Sequence, residues 1–386
     1  DVCSSDLRRP APLERKETGG NEMKSKRYLS ALLCAVLVLT LLPAAALAKD
    51  YSYYDFNISG DIPEGPDGLV WDDSLKAFII NPPGPSSRYH VTFSGTAKGD
   101  DKYCRLIIQD NTNVDIYLNS AQIWVPWVSG SAVPGTHAIT IGENCNVVFR
   151  ITGNNIFDTK QAAAGISVGG NSTVYIDQWS GKDPGYLYAA GSGGFPGIEV
   201  AYDETTTAPT LEIRGGTVTG TGGAAGGAGI GTASCDTEEG RAFPQYGGNI
   251  TIRGGHVTGI GHYGAGIGGG KNAVNAGNIL IEGGIVNGAC SKSGGAGIGG
   301  GSGKISADKF SGGHGGNITI KGGLITANGA MNGAGIGGGE YGNSGDITIT
   351  GGIVIARGNI NGHTYAAAAG IGGGFGINLG TEEYFG

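Results

Sequence analysis

Apolar and polar positions alternate in short runs along most of the chain, and the runs recur. From Asn249, Ile250 and Ile252 alternate with Thr251 and Arg253, the period of two expected of a strand with one buried face. The module returns from Asn278, Asn317 and Asp346, and stands earlier at 211–220. A Gly-Gly pair closes each first run, which marks a sharp bend. A second apolar run then starts, at Val257 in the copy from Asn249. The string Gly-Ala-Gly-Ile-Gly-Gly-Gly at 264–270, 295–301 and 333–339 supplies a third, with Ala265 and Ile267 expected on one strand. Degenerate copies lie at 227–231 and 368–374, and fainter ones surround Ile166 and Ile198.

The isoleucine of this string falls at 166, 198, 230, 267, 298, 336 and 371, so one repeat takes 31 to 38 residues. The length differences lie between modules, where loops accept insertions. Three short strands with bends cannot bury their own apolar side. Stacking each repeat on the next at about 4.8 Å pairs every strand with its equivalent above and below. The pattern therefore predicts an all-β parallel β-helix. Ile213, Ile252, Ile281, Ile320 and Ile349 should point inward from the first strand, and Val218, Val257, Val286, Ile325 and Val354 from the second. Arg214, Arg253, Glu282, Lys321 and Thr350 should form an outward column, and Asn249, Asn278, Asn317 and Asp346 a ladder at a corner.

Regions outside the repeat read differently. Residues 1–22 lack a starting Met and resemble a translated sequencing adapter. Residues 23–48 read as a cleavable signal peptide: Lys24, Lys26 and Arg27 precede the apolar run Leu29–Leu42, and Ala46-Leu47-Ala48 ends it. The run is shorter than the roughly 18 residues a membrane span needs, and Cys34 is no lipid-attachment site. The mature chain is thus expected outside the cell, secreted or on the surface, with no transmembrane segment. Residues 49–85 are expected to be a leader and N-terminal cap, and 86–386 the β-helix, cut short at its C-terminal end.

Composition narrows the functions. The chain of 386 residues has 78 glycines, 15% charged residues and a net charge of −8. Glycine near 7% and charge near 25% are usual. With no Gly-X-Y period the glycines do not signal collagen, and the low, acidic charge excludes a nucleic-acid partner. Export permits disulfides, but Cys104, Cys145, Cys235 and Cys290 are too few for a framework. Free thiols remain an open alternative; if any pair forms, it is Cys104 with Cys145, in strand-like segments about one repeat apart.

The runs 138–142, 151–155 and 164–168, followed by the Gly-Ala-Gly-Ile-Gly-Gly-Gly copies, resemble secreted β-helix proteins of anaerobic Gram-positive bacteria. Among these is a carbohydrate-binding domain family. The resemblance covers roughly residues 86–386 and implies a right-handed parallel β-helix (a solenoid) that binds plant cell-wall polysaccharide. Calcium is implied by it too, with no ligand matched in this sequence; otherwise no cofactor is expected.

Few motifs carry chemistry. Gly264-x-Gly266-x-x-Gly269 matches a dinucleotide fingerprint, but it recurs with every late repeat and no helical pattern follows. The segment 312–317 fits a calcium-binding glycine repeat only once and out of phase, and the six His have no metal-ligand spacing. Polysaccharide cleavage by a lyase or glycoside hydrolase needs acids and bases clustered on one outer face. Glu282 beside Glu212, among Arg and Lys, reads instead as a charge ladder, and no catalytic residue is assigned. Glycan binding is favoured, with aromatics as sugar-stacking candidates: Trp124 and Trp127 in a Pro- and Ser-containing loop, then Trp179, Tyr263 and Tyr341. A passive surface stalk or adhesin segment is the alternative, suited by late coils nearly free of aromatics.

Overall fold

A computed structural model of the chain describes residues 53–57, 69–82, 89–97, 104–126, 136–160, 162–235, 245–306, 309–311, 313–359, 368–377 and 384–385. The readings of residues 1–22 and 23–48, and Trp127, lie outside the described residues. All the described residues fall within one unit, Ser52–Gly386.

The unit is a right-handed parallel β-helix. Its coils are stacked strands on three faces, with a core of aliphatic side chains down the axis. The first face runs through Thr173–Gln178, Thr210–Ile213, Asn249–Ile252, Asn278–Ile281, Asn317–Ile320 and Asp346–Ile349, each parallel to the next. The second runs through Gly185–Ala190, Thr217–Thr221, His256–Gly261, Ile285–Cys290, Leu324–Met331 and Ile353–Asn359. On the third, Ile166, Ile198, Ile230, Ile267, Ile298, Ile336 and Ile371 are aligned rung by rung. The sequence marker is thus the physical register, and the variable lengths fall between strands.

The interior columns follow from that register. Ile213, Ile252, Ile281 and Ile320 are fully buried, as are Val218, Val257, Val286 and Ile325. Two expected members differ: Ile349 is 40% exposed, and Val354 is only partly buried. Both stand on the last rung of their columns among the described residues, so neighbours cover them from one side alone.

Other expectations need correction. The third strand in the late coils is only two residues, such as Ile267–Gly268, and Ala265 precedes it, buried. Its brevity comes from the backbone: Gly268, Gly299 and Gly337 take φ of +131°, +134° and +126°. A Cβ on any of them would meet the next coil's carbonyl oxygen at 2.2 Å or less, so the motif is glycine because adjacent backbones occupy that space. In the early coils the first two strands merge into Asn113–Val125 and Asn146–Thr159, long strands that pass through both faces with a register shift. The stack also starts before residue 86: Tyr53–Asn57 pairs in parallel with Tyr89–Ala97, and Ala77–Ile80 with Arg105–Ile108. Leu69–Asp72 folds back antiparallel on Ala77–Ile80 and covers that edge.

The four cysteines are free, and Cys104 and Cys145 form no bridge. The Cys145 thiol donates to the carbonyls of Gln109 and Glu143 at 3.1 and 3.4 Å. Burial pushes the Cys104 thiol up to about 12.

Candidate functional site

The outer surface of the first face carries the polar groups of nine rungs in vertical columns. In its late part each cation stands between carboxylates. Arg214 and Arg253 both donate to Glu212 at 2.7 Å, Arg253 donates also to Glu282, and Lys321 reaches Glu282 at 3.2 Å. Burial opposes ionisation of Glu212, but the hydrogen bonds from Arg253 and Arg214 outweigh it and hold the carboxyl below its ordinary value. Glu282 is a member of this ladder, as its neighbours in the sequence imply.

The amide ladder forms as well. Asn249 donates to Thr210 at 3.3 Å, Asn278 to Asn249 at 2.8 Å, and Asn317 to Asn278 at 2.8 Å.

The early part of the face is different. His90 and Asp115 are in register on neighbouring rungs, and so are Tyr117, Arg150 and Asp177 on three successive ones. The Tyr117 and Trp179 rings meet at 4.7 Å with a 58° tilt, and the His90 ring stacks on Tyr117 at 5.9 Å. The Arg150 guanidinium lies 6.0 Å from the Tyr117 ring centre, 3.9 Å from Asp115 and 4.0 Å from Asp177. His90 Nδ1 is 3.8 Å from Asp115 and 3.3 Å from the Tyr117 hydroxyl. Lys182 sits 5.2 Å over Trp179, and Arg214 lies 4.0 Å over Tyr175. These cations sit against the electron-rich faces of the rings.

A local departure from the repeat places Trp179. Late coils turn from the first face to the second through Gly-Gly, whereas this coil uses residues 179–184. The Trp179 backbone N–H still pairs with the carbonyl of Ile151 at 2.9 Å. Gln178 then spans the turn, donating to the Asp183 carbonyl at 2.9 Å and accepting from Gly185 N–H at 2.8 Å. Just beyond the turn Tyr186 and Tyr188 project from the second face, 49% and 36% exposed. From Thr210 onward the first and second faces carry no Phe, Tyr or Trp.

The five sequence candidates are not gathered into one place. Trp124 lies within the strand Asn113–Val125 rather than in a loop, in register with Asp158. Tyr263 follows the second face of its coil, with Lys271 5.7 Å from its ring. Tyr341 sits at φ +60° in a loop, where burial and then Glu340 push its hydroxyl up. Trp179 alone enters the cluster with Tyr117 and His90. Sequence reasoning passed over Tyr117, His90, Arg150 and Tyr175, and over Asp115 and Asp177, two further carboxylates on this face. Alternation around Val114, Ile116 and Leu118, all buried, marks Asp115 and Tyr117 as outward. What it cannot reveal is which outward residues of different coils align, because the corner lengths differ.

Among the described residues no three His, Cys, Asp or Glu side chains gather as a metal site, so the calcium implied by resemblance finds no such donor set. No helix among them is long and apolar enough to cross a membrane.

Segments 250–271, 318–340 and 347–375 match the family model described as a beta helix repeat. No curated protein and no solved structure matches the chain.

Proposed function

We propose that the chain is an exported polysaccharide-binding protein whose aromatic band, Tyr117, Trp179 and Tyr175 with Tyr186 and Tyr188 on the adjoining face, is the glycan platform. The observation that carries the reading is the Tyr117–Trp179 pair, bordered by Arg150 and Lys182 on a flat outer sheet. Sugar rings present C–H faces that stack on aromatics, while their hydroxyls need charged or amide partners at the rim. Successive rungs about 4.8 Å apart offer such partners at intervals close to a sugar ring. The late coils, with paired charges and no aromatics on two faces, act in this reading as a spacer. A passive stalk along its whole length leaves the concentration of aromatics in a few coils without a role.

Polysaccharide cleavage has one observation in its favour: His90, Asp115, Arg150 and Asp177 share a face. Cleavage needs acid and base groups that reach one glycosidic bond. Asp115 is 7% exposed, beneath His90 and Arg150, which fits a positioning role for those cations better.

The test is retention on insoluble cellulose, xylan, pectin and chitin. Wild-type protein should be retained on at least one. The Tyr117→Ala, Trp179→Ala double variant should bind at least ten-fold more weakly, since loss of ring stacking and apolar contact exceeds about 1.4 kcal/mol. Equal retention of that variant refutes the platform, and release of soluble sugar by wild type would move the reading to an enzyme.

A further inference from the structure

The corner between the third and first faces holds a polar groove of about 320 Å³ in the late coils, lined by Asn275, His314, Asn317, Asn343 and Asp346 among others. None of these residues belongs to the aromatic band. Two features of the groove define what it accepts.

One is the direction of the amide ladder. Each Asn side chain donates its N–H to the oxygen of the coil before it. The rung after Asn317 is Asp346, aligned with it in register. A carboxylate has no N–H to pass down. The Asn317 Oδ1 and the Asp346 carboxylate therefore stand on adjacent rungs as two exposed acceptors. The other feature is the state of His314. Its Nδ1 accepts the backbone N–H of Asn343 at 3.1 Å, which puts the ring proton on Nε2 and makes that atom a donor. Asn275 is spent on the turn itself, accepting from Gly277 N–H at 3.0 Å.

The groove thus offers acceptors and a donor side by side. A bare divalent cation wants six or more oxygens and would face an imidazole N–H. A uronate or phosphate would meet the Asp346 charge. A hydroxyl group both gives and takes a hydrogen bond, so neighbouring hydroxyls satisfy the whole set. We propose that this groove is a subsite for a neutral sugar residue, with Asp346 and Asn317 accepting from its hydroxyls and His314 donating to one. The inference rests on the glycan-binding reading above but uses different residues at a different corner, so the two fail separately.

The experiment follows the imidazole signals of the isotopically labelled full chain during titration with cellohexaose, xylohexaose, mannohexaose and, separately, calcium chloride. His314 is assigned with His314→Gln. At least one hexasaccharide should shift His314 in wild type and equally in the Tyr117→Ala, Trp179→Ala variant. Asp346→Asn supplies an N–H to Asn317 Oδ1 and completes the ladder. It should weaken the His314 response at least ten-fold, with a thermal midpoint equal to or above wild type. His314 unmoved by all three sugars, or moved by calcium alone, overturns the subsite, and so does an Asp346→Asn variant that binds as wild type. If retention on polysaccharide persists in that event, the aromatic platform stands without it. A His314 response with no effect of the aromatic double variant on retention leaves the groove standing and the platform refuted.

Discussion

Replacing Gly299 by alanine tests why the glycine string exists. Gly299 sits at φ +134°, and a Cβ there would lie 2.0 Å from the Gly337 carbonyl oxygen of the next coil. That oxygen also accepts the N–H of Gly300 at 2.8 Å. Real Cβ atoms stay beyond about 3 Å, so the coils must part by about 1 Å or the backbone must leave its φ. Holding a non-glycine residue in that region costs about 1–3 kcal/mol. Parting the coils weakens one or two ladder hydrogen bonds at about 1 kcal/mol each. Gly299→Ala should therefore destabilise by about 3 kcal/mol, felt at the single interface between these coils. Gly373, in the equivalent glycine string, is the control, because its Cβ would meet only Gly342 O at 3.7 Å. Gly373→Ala should stay within about 0.5 kcal/mol of wild type. Guanidinium unfolding followed by circular dichroism gives both values. A Gly299→Ala loss below about 0.5 kcal/mol, or equal losses for the two variants, would refute the close-approach argument.

Two further expectations concern titration and reactivity. The Glu212 carboxyl is held below its ordinary value of 4.5, so its ladder contribution is complete above that pH and disappears as pH falls through the folded-state value. At low salt the stability gap between wild type and Glu212→Gln, at most about 1 kcal/mol per pair, should close between pH 7 and pH 3; a gap unchanged by acid would show that the arginines do not favour the ionised form. The Cys104 thiol, pushed up to about 12 and buried, should resist iodoacetamide at pH 8 until denaturant opens the fold. Mass spectrometry of the native protein showing alkylated Cys104 would contradict its burial.

The late coils were legible in the sequence because their insertions spare the strands. Ile252, Ile281 and Ile320 repeat within one module, so matching text meant matching register. The early coils were not, since merged strands such as Asn146–Thr159 erase the Gly-Gly punctuation. The aromatic cluster lies in that divergent part. Tyr117 and Trp179 meet across two rungs, and neither spacing nor motif links them. The Asn ladder was readable in membership but not in direction, and its direction is what isolates Asp346 from a donor.

The ion pairs on the first face also limit how such a molecule can change length. Excising 267–297 would remove one turn and set Ile252 on Ile320 and Asn249 on Asn317, an interior indistinguishable from the original. Outside, Glu282 would go with the excised turn, and Arg253 would be left beside Lys321, cation against cation. The hydrophobic axis thus treats any coil as an interchangeable cassette, while the exterior keeps a record of parity. Gain or loss of single cassettes is filtered by the charges that water sees, not by the packing it never reaches.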